Sequence, residues 1–141
     1  MTSDDAIRAA LALRRWAVVG CSPDPGRDSH RIAALLIDRG YDVVPVNPNC
    51  EDVLGRRAFP DVGAAAAEAP IDVVDVFRRS DAAGQHVDEA IEIGASAVWL
   101  QLGVIDEEAA GRAATAGLTV VMDRCPAIEL PRLGISGPAP T

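Results

Sequence analysis

The feature that most constrains this chain is a recurrence of short, continuous apolar runs separated by helical segments. The runs are Trp16-Ala17-Val18-Val19-Gly20, Asp42-Val43-Val44-Pro45-Val46, Ile71-Asp72-Val73-Val74-Asp75-Val76-Phe77, Ala97-Val98-Trp99-Leu100 and Leu118-Thr119-Val120-Val121-Met122. Continuous rather than alternating hydrophobicity marks strands covered on both faces, and such strands belong to parallel sheets. The segments between them carry helical spacing and helix stops. Ile32, Leu35, Leu36 and Arg39 follow the 3.6 period until Gly40, with Asp28 or Ser29 as the expected cap. An alanine-rich helix over residues 60–69 closes at Pro70, a helix from Ser80 to about Gly94 puts Ala83, Val87, Ala90 and Ile91 on one stripe, and a helix over 106–116 ends at Gly117. Residues 1–13 read as a lead-in helix, with Ser3 or Asp4 as cap and Ile7, Ala10 and Leu11 on one side.

Right-handed crossovers leave few topologies for this order, so the expected class is α/β, a five-stranded parallel sheet flanked by helices on both faces. A chain of 141 residues without a recognisable linker reads as one domain, 1–141. Pro45 cannot donate to a ladder, so irregularity is expected in the second strand. Residues 127–141 carry Pro131, Gly134, Gly137, Pro138 and Pro140 and are expected to wrap or fray.

Charge narrows the chemistry. The 13 basic residues are all arginine, which removes Schiff-base lysine chemistry and a Walker-type lysine. A net charge of −8 argues against duplex nucleic acid, yet a few arginines and helix N-termini suffice for a small phosphorylated ligand. Cys21, Cys50 and Cys125 are odd in number and form no C-x-x-C pair, so neither a disulfide scaffold nor a zinc site is expected. No apolar run has the length of a membrane span, and the first five residues lack the order of a signal peptide, so a cytoplasmic location is expected. A protein partner or an oligomeric state is not legible.

In sheets of this class a ligand binds beyond the C-terminal strand ends, where strand order reverses. The loops there are Gly20-Cys21-Ser22-Pro23-Asp24, Asn47-Pro48-Asn49, Phe77-Arg78-Arg79-Ser80, Gln101-Leu102-Gly103 and Asp123-Arg124-Cys125. Together they offer amides, hydroxyls and guanidinium groups to an anion. The dinucleotide fingerprint G-x-G-x-x-G is absent, and Asn47 stands where an NAD-binding fold carries a ribose-binding acid.

Gly20-Cys21-Ser22-Pro23-Asp24-Pro25, Val44-Pro45-Val46-Asn47-Pro48, Val74-Asp75-Val76-Phe77-Arg78-Arg79, Val98-Trp99-Leu100-Gln101-Leu102-Gly103 and Val121-Met122-Asp123-Arg124-Cys125 resemble the motifs of the small stand-alone CoA-binding proteins. Those are similar to the CoA-binding domain of the succinyl-CoA synthetase α subunit. The resemblance covers about residues 13–130 and implies a Rossmann-like fold that binds coenzyme A or an acyl-CoA without transforming it. By that resemblance Gly20, Cys21, Ser22 and Pro23, with Arg27, Asp28, Ser29 and His30, hold the pyrophosphate, while Asn47, Pro48 and Asn49 line the adenosine end. The synthetase has a basic residue after strand two and this chain has none, so the grip on the 3′-phosphate falls to Arg56 or Arg57. Phe77 and Arg78 flank the adenine or pantetheine path, and Gln101 and Gly103 border the thiol arm; by strand-end position Arg79, beside Arg78, is expected at the anion site, and Arg124 follows the last strand. The synthetase phosphohistidine lies in a domain outside the resemblance.

Against catalysis, no nucleophile–base pair is evident. His86 reads as part of a solvated helix face, and His30 as either a phosphate partner or a helix cap. Cys125 reads as a small buried hydrophobe or as a residue facing the ligand thiol. Trp99 reads as core, and Asp75 is expected to meet an arginine or an amide cluster, because a buried unpaired carboxylate is costly. The alternatives to a binding module are an NAD(P)-linked enzyme, or a subunit of a CoA-dependent ligase needing a partner.

Overall fold

Burial on both faces draws the five apolar runs into one parallel sheet in the computed structural model, which describes residues 2–140. In chain order the elements are α1 (Asp4–Leu11), β1 (Arg15–Val19), α2 (Asp28–Asp38), β2 (Asp42–Val46), β3 (Asp52–Val53), β4 (Arg56–Arg57), α3 (Val62–Glu68), β5 (Val73–Val76), α4 (Ser80–Glu92), β6 (Ala97–Leu100), α5 (Glu107–Thr115), β7 (Thr119–Val121) and α6 (Pro126–Arg132). The sheet runs β2-β1-β5-β6-β7, and all its pairings are parallel. The order therefore reverses between β1 and β5, and the expected α/β Rossmann-like architecture is the one present.

Side chains alternate between two cores because successive strand residues point to opposite faces. Ala17, Val19, Val74, Val76, Val98 and Leu100 face α3, α4 and α5, whose alanine-rich stripes admit close approach. Trp16, Val18, Val73, Ala97, Trp99 and Val121 face α1, α2 and α6. Trp99 is fully buried there, its Nε1–H donating to the Arg124 carbonyl at 2.9 Å, in agreement with its reading as core.

Several expectations are corrected. β2 is regular through Pro45, because it is an edge strand and needs no donor on its outer side. There the Phe59 N–H donates to the Pro45 carbonyl and the Asn47 N–H to the Phe59 carbonyl, at 3.0 and 2.9 Å. The β3–β4 hairpin has no counterpart in the sequence reading. Its turn residues Leu54 and Gly55 both have positive φ, 55° and 73°. The segment after Pro126 neither frays nor only wraps: it begins as α6, with Pro126 in the first turn, where a missing N–H costs nothing. Beyond it the chain straps back, the Ala139 N–H reaching the Ala12 carbonyl and the Arg39 and Arg14 guanidinium groups holding the Ile135 and Ala139 carbonyls. The residue capping α2 is Arg27, without a side-chain bond, rather than Asp28 or Ser29.

Asp75 departs furthest from expectation. It is fully buried, pairs in register with Val18 and Trp99, and neither carboxyl oxygen has a partner among the described residues. Burial pushes its carboxyl well above the usual carboxylate range. The Cys21 thiol nearby is pushed up to about 12, first by burial and then by the neighbouring Asp75.

Candidate functional site

The reversal of strand order opens a cleft of about 940 Å³ at the C-terminal edge, lined by Gly20, Ser22, Arg27, Ser29, Asn47, Phe77, Arg78, Arg79, Gln101, Gly103 and Cys125, and also by Asp28, Arg31, Ile32, Leu102 and Val104. Its shape depends on Gly20. The Gly20 N–H donates to the Val46 carbonyl and the Phe77 N–H to the Val19 carbonyl, so three strand ends meet at one turn. Gly20 has φ of 81°, and a Cβ there would stand 2.5 Å from the Phe77 carbonyl oxygen. A glycine is thus required by the backbone itself before any ligand is considered.

The loops are tied to one another by side chains the sequence offered as ligands. Ser29 is buried, and its Oγ accepts the Ser22 N–H at 3.0 Å, fixing the first loop to the start of α2. Asn47 donates through Nδ2 to the Cys21 carbonyl and accepts the Asn49 N–H, both at 2.9 Å. Its amide is spent on positioning the loops, and as an asparagine it presents no carboxylate at the end of β2. The Gly103 N–H donates to Asp123 Oδ1 at 2.7 Å, and Ser80 Oγ accepts the Ile105 N–H at 2.9 Å.

Free cationic groups remain at the mouth. Arg27 and Arg78 are exposed and have no side-chain partner among the described residues, whereas Arg79 meets Asp81 at 3.3 Å with 84% of its side chain exposed. Arg31 is held by Asp28 and by the Gly26 carbonyl. On the cleft floor Gln101 is only 5% exposed, and its Oε1 has no hydrogen-bond partner among the described residues. Such an orphaned acceptor costs about 1–3 kcal/mol unless water or a ligand meets it. Cys125, half-buried, borders the same cleft.

Not every expected residue gathers here. Cys21 is sealed in the core, Pro23 is exposed outside the cleft, and His30 lines neither this cleft nor the second described below. Arg124 curls back onto the Met122 and Asp123 carbonyls. Arg56 bonds Asp42 and the Val43 carbonyl at the opposite, N-terminal end of β2, and Arg57 lies over the Phe59 ring at 4.7 Å. Neither residue lines either cleft. Pro48 and Asn49 line a second, smaller cleft of about 410 Å³ on the α3–α4 side, which shares Gly20, Asn47, Phe77 and Arg78 with the first.

That second cleft contains His86, corrected here from a solvated face to a 7% exposed position. Its Nδ1–H donates to Glu89 Oε1 at 2.6 Å, one helical turn on. Sequence reasoning missed this because Gln85 and Asp88 beside it are polar. The signal was the i, i+3 pairing of His86 with Glu89. Arg31 was missed likewise, although its place at the end of the first turn of α2 lets it reach the Gly26 carbonyl in the loop after β1.

Comparisons with known proteins agree with this fold. The uncharacterized protein YneT of Bacillus subtilis (strain 168) is 39% identical over 112 residues, 79% of this chain and 82% of that protein. A hypothetical protein from Pyrococcus horikoshii OT3 superposes with a TM-score of 0.84 at 40% identity, covering 93% of this chain and 92% of that one. The dinucleotide-forming acetyl-coenzyme A synthetase 1 of Ca. Korarchaeum cryptofilum shares the fold at 22% identity, with a TM-score of 0.70 over 83% of this chain and 28% of the synthetase. The family described as CoA binding domain matches residues 14–131, and with most of the chain inside that match, this protein belongs to the CoA-binding domain family.

Proposed function

We propose that the chain binds coenzyme A or an acyl-CoA in the larger cleft and does not itself transform it. The observation that carries this reading is the combination, in one cleft, of the glycine turn at the strand reversal, the unpaired Arg27 and Arg78, and the unpartnered Gln101 acceptor. The pyrophosphate meets the first-turn amides of α2 and the exposed Arg27 and Arg78, since backbone N–H groups at a helix start and charge-assisted bonds both favour phosphate oxygens. The thiol arm passes Gln101 and Gly103. Asn47, its amide committed to Cys21 and Asn49, offers no acid to a ribose diol, which disfavours NAD(P).

Thermal unfolding in the presence of equal concentrations of CoA, acetyl-CoA, NAD and NADP tests the reading through linkage. CoA and acetyl-CoA are expected to raise the midpoint and the nicotinamide nucleotides to leave it nearly unchanged. An NAD response equal to that of CoA would overturn the assignment. For the absence of turnover, the thioester of acetyl-CoA is expected to survive incubation with the protein and ATP at the background rate.

A further inference from the structure

We propose that Cys125 is a site of thiol–disulfide exchange with the disulfide form of the ligand, so that the cleft can hold CoA covalently. This rests on the reading of the larger cleft as a CoA site.

Three observations support it. The sheet order sets the ends of β1, β5, β6 and β7 side by side, so Ser22, Arg78, Gln101 and Cys125 succeed one another across the cleft. With strands about 4.8 Å apart, the path from the first loop to Cys125 is roughly 14 Å, a span the extended pantetheine arm covers. Gln101 lies on this path, and its buried, unpartnered Oε1 is suited to an amide N–H, the donor that the pantetheine arm carries. Finally, the other two cysteines are placed differently. Cys21 is sealed in the core with its thiol held protonated, and Cys50 lines neither cleft, whereas Cys125 borders the larger cleft and its side chain makes no capping bond to α6.

The exchange balances without a further oxidant. The Cys125 thiol loses its proton and its sulfur attacks one sulfur of CoA disulfide. The disulfide's S–S bond breaks as the Cys125–CoA S–S bond forms, and the departing CoA thiolate takes up the released proton. One disulfide is consumed and one is made, and a dithiol reductant reverses the step.

The experiment uses the intact chain with CoA disulfide and, in parallel, with pantethine, which has the same reacting ends and no nucleotide. Intact mass and peptide mapping report the rate and the cysteine modified. CoA disulfide is expected to modify Cys125 at least tenfold faster than pantethine at low micromolar concentration, while any reaction at Cys50 shows no such preference. Because the protein carries a net charge of −8 and CoA is a polyanion, long-range attraction cannot supply that preference. Equal rates with the two disulfides, or modification mainly at Cys50, would overturn the inference. Calorimetry of reduced CoA with the untreated chain separates the failures: measurable binding with no preferred modification refutes the exchange alone, and no binding refutes the cleft assignment with it.

Discussion

Replacing Asp75 by asparagine probes the carboxyl group enclosed between Val18 and Trp99. Burial alone raises its proton affinity in the folded chain, whereas the unfolded chain titrates near the ordinary value of about 3.9. Above that pH the folded state retains a proton the unfolded state has lost. The contribution of this group to stability is therefore fully present below about pH 4 and is lost as pH rises toward the folded value, at about 1.4 kcal/mol per pH unit. Asparagine has nearly the same shape, leaves its polar atoms in the same apolar surroundings and cannot ionise. Near pH 4 the two proteins should differ by no more than about 1–2 kcal/mol, since each buries partnerless polar atoms. From there the variant should gain on the wild type by up to about 1.4 kcal/mol per pH unit until the folded carboxyl ionises. Urea unfolding at pH 4, 5, 6, 7 and 8 measures the difference directly. Parallel stability curves from pH 5 to 8 would show that the folded carboxylate is ionised and satisfied, and the account of an unpartnered buried acid would be wrong.

Other substitutions separate backbone from ligand roles. Gly20→Ala must place a side chain at positive φ against the Phe77 carbonyl and should cost at least about 2 kcal/mol in urea unfolding with no ligand present; a neutral result would mean the turn can re-form without glycine. Arg78→Ala should weaken CoA binding about tenfold and flatten its dependence on salt, by loss of a charge-assisted bond to phosphate. Arg112, paired with Asp88 and Glu108 on α5, should give neither effect when changed to Ala, and equal outcomes in calorimetry across salt concentrations would misplace the anion site. Gly137→Ala would set a Cβ 2.3 Å from the Arg39 carbonyl oxygen, so limited proteolysis should cut the C-terminal strap sooner than in the wild type; unchanged protection would show that the strap tolerates displacement.

The main sheet is legible in the sequence because strands buried on both sides must be apolar throughout. Val73–Val76 and Ala97–Leu100 have no polar face to confuse the reading, apart from Asp75 itself. The hairpin is not legible for the opposite reason. Asp52, Arg56 and Arg57 are charged, each strand is two residues long, and Val53 alone is fully buried. Helix α6 is hidden by its prolines, since the same residue that ends a helix also suits the first turn of one. At the cleft, strand-end position identifies Gly20, Arg78 and Gln101. It does not reveal that Asn47 and Ser29 spend their polar groups on neighbouring loops, nor that Arg56 is drawn to Asp42 at the far end of its strand. Those outcomes depend on which backbone groups lack partners, a property of the assembled loops.

The two margins of the sheet bear on self-association. On one side, the return of the chain at Phe59 takes up backbone groups of Pro45 and Asn47 while the Arg56 guanidinium meets the Val43 carbonyl. On the other, β7 is three residues long, is packed against α1, and its continuation at Met122 is met by the Thr2 hydroxyl. Open strand margins template the addition of foreign strands, and proteins suppress this by shortening or covering them. A second copy could extend this sheet only by first stripping away the Phe59 return or the N-terminal helix. The folded margins therefore offer no ready template for a continuous intermolecular sheet, and such a sheet would be a sign that one of these covers had come away.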